Sequence, residues 1–174
     1  MAAGLDPETH EVINQDKLKY MLEAYLENPE PIVILSHYKA PLFKAQELFE
    51  KKGIKTGLVY GGTGTASQKE EVVNGFKNGD YPVFFGQTRS VKMNYDLSSA
   101  SLTYYPNNSY SRDDRGQSEK RTTNVNKTIP IGIMDLCYRD TMDEKLVNTL
   151  RSKEKISYSF IDTEFHEACF DKRG

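Results

Sequence analysis

Short apolar runs alternate with segments of helical periodicity along this chain, and that alternation most limits the folds open to it. Pro31-Ile32-Val33-Ile34-Leu35 is uninterrupted apolar sequence of strand length. Such a run has no polar side to turn to water, so it belongs in a sheet covered on both faces, as parallel strands are. Before it, Leu18, Met21, Leu22, Tyr25 and Leu26 recur at helical spacing until Asn28-Pro29. After it, Leu42, Ala45, Leu48 and Phe49 mark a helix stopped by Gly53, and Thr56-Gly57-Leu58-Val59-Tyr60 is a second strand. Ser67 and Glu70 have the spacing of a capping box opening a helix with Val72, Val73 and Phe76, which Asn78-Gly79 ends. Val83-Phe84-Phe85, Ser101 to Tyr105 and Ile129 to Leu136 complete the strands. Helices are predicted over Ser111 to Arg121 and from about Thr141 to Lys153, the latter with Leu146, Val147 and Leu150 on one face and Thr141 and Glu144 as a second capping box.

Alternating strands and helices with short connections predict an α/β fold, a doubly wound parallel sheet of about five to six strands with helices on both faces. At 174 residues the chain is a single domain. The predicted division is a polar lead-in over 1–15, the domain over 16–156, and a tail over 157–174 that packs on the body or is partly disordered. No apolar run reaches the length of a membrane span, and the first residues lack a signal peptide's profile. Cys137 and Cys169 form neither a disulfide framework nor a zinc spacing. A reducing cytoplasm is the expected setting.

The formal charge of −2 conceals an uneven distribution. From Gly86 to Lys127 seven basic residues face four acidic ones, so this stretch is +3 and the remainder −5. A basic segment in an acidic chain suits a phosphate-binding face, and a solvated surface with ordinary charge scatter would look the same.

In an open α/β sheet the loops at the carboxyl ends of the strands carry function. Here they are Ser36-His37-Tyr38, Tyr60-Gly61-Gly62-Thr63-Gly64-Thr65, Gly86-Gln87-Thr88-Arg89-Ser90, and Tyr105 to Ser111. Small and glycine residues let backbone approach phosphates, although a glycine loop also serves simply to reverse the chain. The glycines fit neither a P-loop, which needs a Gly-Lys pair, nor a dinucleotide fingerprint. His10, His37 and His166 have no nucleophile or metal-ligand partners at a telling spacing. Gln117 and Arg121 are four apart, on one face of a helix, where an amide and a guanidinium can address a nucleotide and its terminal phosphate. An exposed, salt-bridged helix is the competing reading of the same segment.

In this order the motifs resemble the C-terminal, second RecA-like lobe of superfamily II helicases, on the Swi/Snf-like branch that includes many phage DNA helicases. Pro31 to His37 is similar to motif IV, and Tyr60-Gly61-Gly62-Thr63 with Gln68 to Phe76 to the glycine turn and its helix. Gln87-Thr88-Arg89-Ser90 through Leu97 resembles motif V, Gln117 to Arg121 motif VI, and Asp140 to Lys153 the closing helix.

The resemblance implies a site. Ser36, His37, Gly61, Gly62, Thr63, Thr88, Arg89 and Ser90 would hold the phosphates of a DNA strand. Asp96 and Asn94 would lie at the ATP ribose. Gln117 and Arg121 would face the nucleotide, Arg121 acting as an arginine finger. ATP with Mg²⁺ would be bound mainly by an N-terminal RecA-like lobe of the same protein. This chain supplies no P-loop, so it would be inactive alone, as the C-terminal half of a longer enzyme. It would work in the cytoplasm, the host's if phage-encoded, on single-stranded or duplex DNA and away from any membrane. The sequence departs from the family at Asn124, where motif VI has a second arginine, and at Val91, Lys92 and Asn94, where motif V has small residues. The arginine expected after the glycine turn is also not evident among Ser67 to Glu71. The alternative is a non-catalytic nucleic-acid-binding RecA-like lobe that has lost hydrolysis. A small-molecule enzyme with a Rossmann-like site and a purely structural domain are more distant rivals.

Overall fold

The computed structural model describes residues 14–91, 95–108, 112–122 and 131–152. The order is α1 (Asp16–Glu27), β1 (Ile32–Ser36), α2 (Lys39–Glu50), β2 (Thr56–Val59), α3 (Ala66–Asn78) and β3 (Val83–Gln87). A 3₁₀ turn (Thr88–Ser90), β4 (Leu102–Asn107), α4 (Arg112–Thr122), β5 (Gly132–Asp135) and α5 (Met142–Ser152) follow. The strands form one sheet in the order β2-β3-β1-β4-β5, and every pairing is parallel.

β1 is the middle strand, and all five of its residues are buried. Its alternate side chains enter two separate cores, because successive residues of a strand point to opposite faces. Ile32 and Ile34 join Leu18, Met21, Leu42, Phe49 and Phe85 under α1 and α2. Val33 and Leu35 join Val59, Val73, Phe76, Phe84, Leu97 and Tyr105 on the α3 side. Aromatic pairs bridge helix to sheet in both, Phe49 with Phe85 at 5.5 Å and Phe76 with Phe84 at 5.6 Å between centroids. α5 lies on the α1 side, its Asp143 held 2.6 Å from the buried ammonium of Lys17. That ammonium also donates to the Pro106 carbonyl at 2.9 Å.

Several local details differ from the sequence reading. The capping box of α3 is Thr65 with Gln68, not Ser67 with Glu70: the Thr65 N–H donates to Gln68 Oε1 and the Gln68 N–H to Thr65 Oγ1. Both pairs have the required spacing; the chain enters the helix from an extended Thr65, which places Ser67 already inside the first turn. Before α5, the Thr141 hydroxyl donates back to the Tyr138 carbonyl, and Glu144 accepts from the Asp140 N–H instead. Leu26 is 50% exposed, at the solvent edge of α1. β3 and β4 run two residues further than predicted. Beside β1 the register of β4 shifts between Tyr104 and Asn107, where Pro106 has no N–H to give the ladder. The lead-in up to residue 13, Ile129-Pro130 and the tail lie outside the described residues.

Candidate functional site

Because β2, β3, β1 and β4 are adjacent, the four loops at their carboxyl ends stand in a row along one edge of the sheet. Two side-chain amides knit this row together. Gln87, the last residue of β3, donates its amide to the His37 carbonyl (3.2 Å) and accepts from the Gly61 N–H (3.1 Å), so it bridges the loops on either side. Asn107, brought level with Ser36 by the shift at Pro106, accepts at Oδ1 from the Ser36 hydroxyl (2.9 Å) and the His37 N–H (3.1 Å). Gln87 opens the segment that resembles motif V, whereas Asn107 does not stand out in the sequence, since a polar residue ending a strand carries no motif.

The glycine loop is a fixed turn. The Thr63 hydroxyl accepts from the Tyr60 N–H at 2.9 Å, and the Thr63 N–H donates to the Tyr60 carbonyl at 3.0 Å. The amides of His37 and Gly61 are committed within the edge. Among the described residues Arg89 and Lys39 are its exposed cations, and half-buried Ser90 lies near Lys39 at Gly61. Thr88 Oγ1 is buried, with no hydrogen-bond partner among the described residues. Lys39, on the first residue of α2, has no place in the sequence motifs.

α4 reads Arg-Asp-Asp-Arg-Gly-Gln-Ser-Glu-Lys-Arg-Thr, without one apolar side chain, and is held by polar ones. The Arg115 guanidinium lies 3.5 Å from the Tyr105 ring centroid. It is ion-paired with Glu119 and Asp135 and donates to Asn108 Oδ1 at 2.7 Å. Burial opposes ionisation of Arg115 and Asp135, yet their mutual attraction prevails, raising the arginine's pKa and lowering the carboxyl's. The buried Ser118 hydroxyl shares a 2.8 Å hydrogen bond with Tyr105. Arg115 is thus committed within the fold; Asn124 and the Arg112 side chain lie outside the described residues.

The two ends of α4 reach two predicted groups of site residues. Near its start, Asp114 pairs with Arg89 of the loop after β3 at 3.0 Å. Near its end, the Arg121 carbonyl accepts from the Leu97 N–H at 3.0 Å, which sets Asp96 beside Arg121. Asp96 accepts from the Ser98 hydroxyl (2.6 Å) and pairs with Lys77 (3.0 Å), contacts that hold its carboxyl below the usual range. Arg121 is half-buried, burial lowering its pKa, and Gln117 is exposed one turn earlier. Asn94 lies outside the described residues. No group of three or more His, Cys, Asp or Glu side chains that could hold a metal ion occurs among the described residues. No helix among them is long and apolar enough to cross a membrane.

No family model and no curated protein matches the sequence. Solved structures do match. The C-terminal part of the Fun30 ATPase domain is similar with a TM-score of 0.68 and 20% identity, over 90% of this chain and 52% of that one. The Hef helicase domain of Pyrococcus furiosus is similar with a TM-score of 0.57 and 15% identity, over 78% of this chain and 28% of that one. The fold is therefore that of a RecA-like lobe such as these ATPase and helicase domains contain. The chain spans about half the length of the Fun30 structure.

Proposed function

We propose that this domain is the C-terminal RecA-like lobe of an ATP-dependent DNA helicase or translocase of superfamily II, on the Swi/Snf-like branch familiar from phages. The observation that carries the reading is α4 itself. It is tied at one end to the loop edge through Asp114 and Arg89, and at the other to the Asp96 segment through Arg121 and Leu97. Asp114 and Arg121 are seven residues apart, about 10 Å along a helix. One helix thus links the loop edge to the segment whose side chains would face a nucleotide.

In this reading the strand's phosphates run along the row of loops, over Ser36, His37, Gly61, Gly62, Thr63, Thr88, Arg89 and Ser90. ATP is the substrate, held mainly by an N-terminal RecA-like lobe of the same protein, which also supplies the Mg²⁺ site. Asp96 and Asn94 take the ribose side, and Gln117 orients the terminal phosphate. The Arg121 guanidinium stabilises the charge that builds on the transferring phosphoryl group. Closure and opening of the two lobes would then move the strand stepwise, in the cytoplasm.

The test is strand binding by this chain. Fluorescence anisotropy with a labelled single-stranded oligonucleotide should give weak binding at low salt. Log affinity should fall linearly with log salt, with the slope of a few phosphate contacts. Absence of binding at low salt overturns the assignment of the edge. Binding that persists in a two-lobed protein without turnover selects the non-catalytic lobe instead.

A further inference from the structure

Beside the glycine turn, at the β2 end of the row, stands an aromatic pair that neither core absorbs. Phe43 is on α2, whose core positions are Leu42, Ala45 and Phe49, and it is left 43% exposed. Its ring meets Tyr60 edge to face, 5.0 Å between centroids at 86°. The Lys39 ammonium lies over the Tyr60 ring, 5.7 Å from its centroid. Tyr60 is held in place by its own turn, and by Gly62. A Cβ on Gly62 would come within 2.5 Å of Tyr60 Cε2, so the missing side chain is what lets the ring lie there.

We propose that Phe43, Tyr60 and Lys39 form a base-stacking subsite that takes one nucleobase of a single strand, with the adjoining phosphate on the Lys39 ammonium. The proposal rests on the strand-binding reading above and deepens it. Exposed aromatic faces bind bases of any sequence, since every base has a π-face, and a cation beside them meets the phosphate that each base carries. An apolar protein partner would have no use for the lysine. The subsite is continuous with the rest of the edge, because Gly61, next to Tyr60, is bonded to Gln87. The Tyr60 ring, held by its turn, also loses little freedom when a base arrives.

The experiment compares a 12-nucleotide oligothymidine with a 12-nucleotide strand of abasic sites, which has the same phosphates and no bases. The wild-type chain is expected to bind oligothymidine roughly fivefold or more tightly than the abasic strand. Phe43→Leu, which keeps an apolar side chain without a π-face, should abolish that preference while leaving abasic-strand affinity unchanged; Phe43→Tyr should keep it. Lys39→Gln should weaken both strands and lower the salt slope by about one. Equal wild-type affinity for the two strands, or a preference that survives in Phe43→Leu, overturns the subsite and leaves the edge as a phosphate binder. Binding to neither strand overturns the strand-binding reading, and the subsite with it.

Discussion

Arg89 and Asp114 form an ion pair at 3.0 Å that joins the loop after β3 to the beginning of α4. A phosphate bound at Arg89 must compete with that carboxylate. Exposed pairs of this kind are worth about 0–1 kcal/mol. Asp114→Asn should therefore raise single-strand affinity by about two- to fivefold at low salt with little change in stability. Arg89→Ala should lower affinity and reduce the salt slope by about one. Anisotropy titrations check both, and an unaltered affinity and salt slope in Arg89→Ala would remove Arg89 from the interface.

Arg115 anchors α4, a helix with no apolar side chain to do so. Arg115→Ala would take from the buried Asp135 and Glu119 carboxylates their ion pair with it, leaving Asp135 a longer 3.4 Å pair with Arg151, and would remove the cation from over Tyr105. Breaking one side of a buried pair costs about 3–5 kcal/mol. The variant should show that loss in urea unfolding, with α4 amides exchanging fastest. A loss below about 1 kcal/mol would mean that α4 is held some other way.

The sheet was legible because its signals are local and redundant. Ile32 to Leu35 can be hydrophobic throughout only if both faces are covered, and Gly79 closes α3 with a left-handed backbone (φ 86°) that other residues avoid. What escaped depends on contacts distant in sequence. Asn107 matters because Pro106 shifts the register that sets it opposite Ser36, some 71 residues away. Arg115 reads like any other charge of a salt-bridged helix, and only the positions of Tyr105 and Asp135 make it an anchor. Between Thr65 and Ser67 the spacing rule was right and its register undetermined, since both have a partner three residues on.

The same network sets an acid limit. The folded pKa of Asp135 is depressed, so its contribution is complete above the unfolded value of about 3.9. It is lost as pH falls through the lower folded value. Urea midpoints should thus hold steady from pH 7 to about 5 at this group and drop below about 4. Asp135→Asn should be less stable at pH 7 and lose less on acidification. An identical acid limb in wild type and variant would mean that Asp135 does not govern it.

Arg121 tests the nucleotide half of the reading. Its tie to Leu97 runs through the backbone carbonyl, so a change of side chain leaves that hydrogen bond in place. In the two-lobed protein, Arg121→Ala should cut ATP turnover by about 10³-fold or more, the range an arginine finger supplies. Arg121→Lys should recover little of it, because an ammonium keeps the charge without the planar fork that grips a phosphoryl group. Strand affinity should stay within about twofold of wild type, since Arg121 lies at the end of α4 away from Arg89. Turnover that survives Arg121→Ala would deny this residue the phosphoryl group. Turnover and strand affinity lost together, with a lowered melting temperature, would show that the side chain serves the fold.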